Sequence, residues 1–127
     1  MKLLLDSHTF LWWNNEPDKL SSRILEMCKD PKNTLFVSVA SIWEIQIKFQ
    51  LGKLHIHKPL AEIIRQEQEN GVEILGIEPD HIYALESLPA HHKDPFDRLL
   101  VAQAIVEEAV LVSADPLVKQ YSIKTEW

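Results

Sequence analysis

The sequence predicts a three-layer α/β/α sandwich, in which helices cover both faces of a central, mainly parallel sheet. Short apolar runs of strand length alternate along the chain with longer segments of helical pattern. Strands that alternate with helices run parallel, because a parallel connection needs a crossover that a helix supplies. The chain has 127 residues, which predicts a single domain over 1–127, since two ordinary cores would need a longer chain.

The first strand and the first two helices follow from the start of the sequence. Residues 2–5 form a short apolar run that ends at Asp6, as expected of a buried parallel strand. Residues 7–14 continue as a helix. A second helix is predicted over 20–29, where apolar side chains recur on one side and Asp30-Pro31 ends the pattern.

The middle of the chain repeats the alternation. An apolar run at 34–37 predicts the second strand, and a glycine closes the helix predicted over 38–50. The next helix, over 59–69, has proline at its first turn and is followed by an Asn-Gly turn signal. The third strand, at 72–77, and a further helix, at 79–88, complete this part.

The last third of the chain contains the strongest helix start. In Asp94-Pro95-Phe96-Asp97 the first aspartate is a favoured N-cap, and proline is favoured at the first helical position. This helix is predicted to run to Glu108. A fourth strand follows at 110–113, and a weak fifth, at the edge of the sheet, at 122–125.

Composition and charge limit the possible functions and location. The net charge of -6 argues against a broad basic face that grips nucleic acid. No apolar run approaches the roughly 18 residues that span a bilayer, and the first acid comes too early for a signal peptide, so the expected location is the cytoplasm. A single cysteine, Cys28, agrees with a reducing compartment and is predicted to be a small buried residue on a helix.

Acidic residues follow the predicted strands at the edge where open parallel sheets bind ligands. Asp6 follows the first strand and Asp115 lies just after the fourth. Glu44 and Asp97 lie near the starts of helices that can face the same edge. Oxygen ligands without cysteine or a tight histidine pair suit Mg²⁺ or Mn²⁺ rather than zinc. The sequence therefore predicts a carboxylate site for a divalent metal.

Structural explanations for most of these acids stay open at this point. Asp94 is well placed as an N-cap, and Asp97 lies in the first turn, where a negative charge is favourable. Asp115 could cap a short helix, and Asp6 could simply end a strand. Glu44 differs, because the apolar pattern of its helix begins well before it and a capping role does not account for it.

Four motifs, in this order and spacing, resemble PIN-domain proteins of the VapC toxin type over essentially the whole chain. They are Leu-Leu-Leu-Asp6, Ser-Ile-Trp-Glu44 with Lys48 and Gly52-Lys53-Leu54, Asp94-Pro-Phe-Asp97-Arg98, and Leu-Val-Ser113-Ala-Asp115. The resemblance implies a Mg²⁺- or Mn²⁺-dependent endoribonuclease that hydrolyses RNA phosphodiester bonds. It also implies a cognate antitoxin as partner and a homodimer.

The resemblance also implies roles for individual residues. Asp6, Glu44 and Asp97 match the three central acids of the family, and Asp115 matches the fourth, more variable one. Three roles stay open for Asp94: a direct metal ligand, a group that hydrogen-bonds the ligands, or only the cap of its helix. Two hydroxyl residues match positions that hydrogen-bond the carboxylates or metal-bound water, namely Ser7 and Ser113. Whether one or two ions bind stays open, as does DNA as a substrate.

Other residues near the motifs carry weaker hypotheses. His92, beside His91 in a polar loop, is assigned either to loop structure and hydrogen bonding around the site or to substrate contact. Arg98 is assigned either to the scissile phosphate or to a salt bridge. Lys48 belongs to a modest basic segment that either guides RNA or is a solvated helix end. The tryptophans are interpreted as packing and partner surface.

Two other classes of function compete with a nuclease. A receiver-like signalling domain also gathers acids and Mg²⁺ at the carboxyl edge of a parallel sheet, but it normally has two adjacent acids after the first strand and a lysine after the last core strand. Here the corresponding residues are Asp6-Ser7 and Ser113-Ala114-Asp115. A catalytically idle module that docks a basic peptide is the other alternative, and the complete set of acids disfavours it.

Overall fold

A parallel sheet forms the centre of the structure, a computed structural model that describes residues 1–89, 94–118, 121 and 125–127. Within these residues the sheet has five strands in the order β3-β2-β1-β4-β5, and every neighbouring pair is parallel. The strands are β1 (Lys2–Leu5), β2 (Thr34–Ser38), β3 (Glu73–Leu75), β4 (Val110–Val112) and β5 (Thr125–Glu126).

Helices connect the strands, as the sequence predicts. Those in the described part of the chain are α1 (Ser7–Asn15), α2 (Ser22–Lys29), α3 (Val39–Gln50), α4 (Leu60–Glu69), α5 (Pro79–Ala84) and α6 (Pro95–Glu107). The second helix begins later than predicted, because the Ser21 hydroxyl caps it by accepting a hydrogen bond from the Ile24 backbone N–H at 3.2 Å. The helix predicted over 79–88 ends at Ala84 and continues as the 3₁₀ turn Leu85–Ser87.

Two strand predictions differ in extent from the structure. The third strand is shorter than the predicted 72–77, because only Glu73–Leu75 pairs with β2. The fifth pairs with β4 at Thr125–Glu126, whereas residues 122–124 of its predicted range lie outside the described residues.

Two hydrophobic cores lie on the two faces of the sheet. Side chains alternate along a strand, so Leu3 and Leu5 pack on one face and Leu4 on the other. The first core also includes Phe10 of α1, and further buried side chains from α2, α3 and α4. The second includes Leu100 and its neighbours on α6. This arrangement confirms the predicted α/β/α sandwich.

The strand order locates the expected binding edge. From β1 the chain moves outward to β2 and β3 and then returns to the other side of β1 as β4. Ligands of open parallel sheets bind where the order reverses, outside the carboxyl ends of the strands. That point lies between β1 and β4, where the Asp6 backbone N–H donates to the Val112 carbonyl at 3.2 Å. The order differs from the 2-1-3-4-5 order of receiver domains, which removes that alternative.

Membrane-crossing helices are not found in the described residues, since none of their helices is both long and apolar enough to cross a bilayer.

Candidate active site at the carboxyl edge of the sheet

An open cleft of about 510 Å³ lies at the predicted edge of the sheet. Its lining contains all five acids that the sequence singled out, although they come from four separate parts of the chain. They are Asp6, Glu44, Asp94, Asp97 and Asp115. The structure therefore brings the candidate acids together, and their individual roles stay predictions.

Asp6 and Asp115 reach the cleft from the ends of the two central strands. Asp6 follows β1 and caps α1, because its Oδ1 accepts a hydrogen bond from the Thr9 backbone N–H at 2.9 Å. Asp115 follows β4, and its Oδ1 accepts from the Leu117 backbone N–H at 2.9 Å. The Asp115 N–H in turn donates to the Ser113 hydroxyl at 3.1 Å. Both carboxylates are thus held by local turns immediately after buried strands.

The start of α6 supplies the next two acids. Asp94 is the N-cap, and its Oδ1 accepts from the backbone N–H groups of Phe96 and Asp97 at 2.8 and 3.3 Å. The capping interaction considered for Asp94 is therefore present, and the same residue also lines the cleft. Asp97 lies one turn further along the helix in the cleft wall. Asp97 also lies in the first turn of α6, where a negative charge is favourable, so that alternative stays open.

Glu44 lies inside α3 and is the most buried of the acids. The helix begins at Val39, and its cap is Ser38, whose hydroxyl accepts from the Ala40 N–H at 3.0 Å. The Glu44 side chain is only 8% exposed. Its Oε1 accepts a hydrogen bond from the Ser7 hydroxyl, and its Oε2 lies 3.1 Å from the Lys48 ammonium. A carboxylate at this depth needs such partners, because an unpaired buried charge is costly.

The remaining candidates occupy different places. Ser7 lines the cleft, and its hydroxyl donates to the Glu44 carboxylate. Ser113 is buried and is not among the cleft-lining residues, and its hydroxyl accepts from the Asp115 backbone N–H. Arg98 is not among the cleft-lining residues. Its guanidinium donates to the carbonyls of Pro89 and Leu85 at 3.0 and 3.5 Å and to the Tyr121 hydroxyl at 3.3 Å, so it fastens α6 to neighbouring segments. Both residues of the histidine pair at 91–92 lie outside the described residues.

Six further residues line the cleft that sequence reasoning did not assign to the site, namely His8, Thr9, Trp12, Lys48, Ala114 and Pro116. Lys48 was considered only as part of a basic segment, although its spacing of four from Glu44 on a helix places the two side chains together. His8 and Trp12 have the same spacing on α1, which begins directly after Asp6. For Lys48 the signal was its helical spacing from an acid, whereas the spacing of His8 and Trp12 shows only that these two side chains share a face of α1.

The donor chemistry of the cleft fits a hard divalent cation. Five of its lining residues are carboxylic acids, and carboxylate oxygens suit Mg²⁺ or Mn²⁺. Among residues 1–89, 94–118, 121 and 125–127, however, no three histidine, cysteine, aspartate or glutamate side chains are already grouped so as to hold an ion. Binding by several acids at once therefore requires side-chain rotation, above all at Glu44, whose oxygens are engaged by Ser7 and Lys48.

Comparisons with known proteins are consistent with this geometry. The PIN domain matches residues 3–124. The protein named Ribonuclease VapC22 of Mycobacterium tuberculosis is 31% identical over 114 residues, which cover 89% of this chain and 86% of that protein.

Two solved structures share the fold. One is VapBC2 from Rickettsia felis bound to a DNA fragment from their promoter, with a TM-score of 0.73, 19% identity and coverage of 99% of this chain and 98% of the other. The second is VapBC-1 from nontypeable Haemophilus influenzae, with a TM-score of 0.62, 16% identity and coverage of 99% and 97%. At these identities the likeness concerns the fold alone.

Proposed function

Because this chain belongs to the PIN-domain family, we propose that it is a metal-dependent endoribonuclease that hydrolyses RNA phosphodiester bonds. The observation that carries the proposal is the meeting of five carboxylates, distant in sequence, around one cleft where the strand order reverses. RNA as the substrate class is supported by the relative from Mycobacterium tuberculosis, which is named a ribonuclease.

The proposed metal-binding residues are Asp6, Glu44, Asp97 and Asp115, with Mg²⁺ or Mn²⁺ as the ion. When bound, the ion supplies an activated water for attack on the phosphodiester and neutralises charge that develops on the phosphate. Asp94 holds the start of α6 by capping it, and thereby positions Asp97. A further direct role of Asp94 at the metal is testable by substitution.

Hydroxyl and ammonium groups of the chain complete the proposed site. The Ser7 hydroxyl orients the Glu44 carboxylate by donating to Oε1. The Ser113 hydroxyl fixes the backbone at Asp115, and so the direction of that carboxylate. Lys48 offsets part of the negative charge that would otherwise repel the phosphate groups of RNA. These residues hold and orient the acids, and none of them needs to act as a base.

We further propose that the chain is the toxin of a toxin–antitoxin pair and works as a homodimer in the cytoplasm. Two of the solved structures that share its fold are named VapBC2 and VapBC-1. An antitoxin that places an arginine or lysine in the acidic cleft would block it by charge complementarity. Trp43, 61% exposed and in edge contact with Phe96 at 5.3 Å, offers apolar partner surface.

Metal-dependent cleavage is tested with the purified protein and a panel of tRNA, rRNA fragments and single-stranded DNA. Cleavage of RNA is expected with Mg²⁺ or Mn²⁺ and not with EDTA. The Asp6→Asn variant should be inactive, and Asp18→Asn, a change at an exposed acid outside the cleft lining, should match wild type. Cleavage that is equal in EDTA, or in Asp6→Asn, would refute the mechanism.

The proposed pairing is tested by expression with and without the neighbouring reading frame. Expression alone should arrest growth, and co-expression should yield a complex in which the chain is dimeric by light scattering. Recovery of a monomeric chain that neither binds the neighbour's product nor affects growth would count against the toxin assignment while leaving the nuclease test intact.

A further inference from the structure

An aromatic cluster lies directly beside the acids. The rings of His8 and Trp12 have centroids 5.9 Å apart, and those of Trp12 and Trp127 are 5.7 Å apart. His8 and Trp12 also line the cleft that contains the carboxylates. The cluster therefore continues the wall of the candidate active site, and the function proposed for the acids leaves it unexplained.

The two tryptophans of the cluster are anchored by packing against the core, Trp12 from α1 and Trp127 from the segment after β5. Trp12 is half-buried and packs against the core on one face of the sheet, as does Trp127. Asp6 caps α1, and Trp12 follows six residues later, about 9 Å along the helix axis at 1.5 Å per residue. An anchored ring loses little conformational freedom when a ligand stacks on it. Trp12 is thus a preorganised surface within reach of a nucleotide held at Asp6.

The charges of the cleft make ordinary phosphate recognition weak. Lysine is represented in the described lining by Lys48, whose ammonium is engaged by Glu44, and the whole chain has a net charge of -6. Proteins that bind nucleic acid mainly through the backbone use many lysine and arginine contacts. Affinity for RNA must therefore come largely from other contacts, and aromatic side chains provide them by stacking on bases.

We propose that the cluster of His8, Trp12 and Trp127 stacks an unpaired base of the RNA next to the scissile phosphodiester. This inference rests on the proposed ribonuclease function and adds a base-binding subsite beside the acids. Bases in an A-form helix are stacked on each other and do not offer a face to a protein ring. Stacking is tolerant of base identity, so the cluster adds affinity without selecting a particular sequence.

RNA binding measured in EDTA tests the proposal, because removal of the divalent metal prevents the proposed cleavage during the measurement. Fluorescence anisotropy compares a labelled single-stranded oligoribonucleotide, the same strand with abasic sites, which keeps every phosphate, and the same sequence in a duplex. Wild type should bind the parent strand about tenfold more tightly than the abasic or duplex form. Equal affinity for the parent and abasic strands would overturn the proposal, as would the absence of binding to any of them.

Three variants assign the effect to the cluster. Trp12→Leu keeps apolar packing but removes the aromatic face, so its Kd for the parent strand should rise about tenfold and its preference over the abasic strand should disappear. Trp12→Phe should retain most of the affinity. Trp13→Leu is the matched control, because Trp13 is the next residue of α1, packs against the same core and is absent from the cleft lining. It should bind like wild type.

The outcomes separate this proposal from the others. Unchanged RNA binding in a folded Trp12→Leu variant that loses its antitoxin would make the cluster a protein-binding surface and overturn the proposal. If Trp12→Leu does not fold, the abasic comparison on wild type and Trp12→Phe decides. If the protein cleaves RNA but binds the parent and abasic strands equally, the stacking proposal fails and the ribonuclease proposal stands. If the protein prefers the parent strand over the abasic strand but cleaves no RNA, the proposed ribonuclease function fails and the stacking site stands.

Discussion

The Lys48 ammonium lies 3.1 Å from Oε2 of Glu44, one turn along the same helix, and both residues line the acidic cleft. The Glu44 side chain is 8% exposed and that of Lys48 38%. A carboxylate this buried is stabilised chiefly by its partner, because removal of one member leaves an uncompensated charge. A metal ion that binds Glu44 must therefore either displace the Lys48 ammonium from the carboxylate or share the carboxylate with it.

Removal of the Lys48 ammonium should cost stability in a way that depends on metal. In EDTA, Lys48→Met is expected to lower the free energy of unfolding by about 1 to 3 kcal/mol, because Glu44 loses its cationic partner. Saturating Mg²⁺ should recover part of this loss, since a bound cation replaces the missing charge. Urea unfolding in both conditions measures the difference. Lys53→Met, at an exposed position outside the cleft lining, is the control. Equal losses with and without Mg²⁺ would contradict this account of Glu44.

Asp94 can be tested separately as a cap and as a ligand. Asp94→Ala removes the acceptor of the Phe96 and Asp97 N–H groups and should cost about 1 kcal/mol. Asp94→Ser keeps a good N-cap without the charge, so it should restore most of that stability. If the serine variant also keeps wild-type cleavage and the Mg²⁺-induced rise in Tm, Asp94 is a cap alone. Loss of both in a stable Asp94→Ser protein would make it a metal ligand.

Much of the fold and of the candidate site follows from short-range patterns. The apolar runs predict β1 and β4, and the acids after them follow from the rule that ligands bind beyond strand ends. The ion pair between Glu44 and Lys48 could have been predicted from their spacing on the helix. The burial of the Glu44 side chain, which makes its carboxylate depend on that partner, could not. That burial depends on how α3 packs against α1 and α6, which no local pattern contains.

Arg98 shows a different limit of sequence reasoning. Its place beside Asp97 in the chain suggested either phosphate contact or a salt bridge, yet successive residues of a helix point about 100° apart. The guanidinium therefore lies among carbonyl groups and Tyr121, away from the cleft-lining residues. Trp12 packs against the core as predicted, and it also lines the cleft, which the sequence did not indicate. A tryptophan that packs against a core can also line a cleft, and only the tertiary structure reveals that it does both.

Cys28 should make the stability of the protein fall at alkaline pH. The thiol is buried on α2, and burial raises its pKa from 9.0 to about 11. Above pH 9.0 the unfolded chain releases this proton while the folded protein retains it until about pH 11, so the unfolded state is favoured as pH rises through this window. The expected loss relative to Cys28→Ala is on the order of 1 to 2 kcal/mol by pH 10.5.

Urea midpoints of wild type and Cys28→Ala at several values between pH 8 and pH 10.5 isolate this thiol, because it is the only titratable group in which the two proteins differ. The two stability curves should converge or cross as pH rises. Parallel curves would show that the thiol pKa is the same in the folded and unfolded chain. Slow reaction of folded wild type with iodoacetamide at pH 8 is an independent check, since the thiolate is the reactive form.

Asp97→Asn separates a site acid from a residue that merely favours its helix. Asparagine keeps the shape of the side chain and removes one negative charge from a cleft lined by five acids. If those charges repel one another, the variant should be folded in EDTA and melt at or above the wild-type temperature. If Asp97 acts mainly on the helix dipole, loss of its charge should instead cost about 0.3 to 1 kcal/mol. The two explanations therefore differ in sign.

Thermal melts in EDTA and in saturating Mg²⁺, together with cleavage assays, distinguish them. A ligand that binds only the folded state raises stability by mass action, so a metal-binding Asp97 predicts that the variant loses most of the Mg²⁺-induced rise in Tm and all cleavage. The Asp18→Asn control should keep both. A variant that is less stable in both conditions, yet responds to Mg²⁺ and cleaves RNA like wild type, would remove Asp97 from the site. Because Asp97 links α6 to the acids that follow β1 and β4, that result would also remove most of the case for a shared metal.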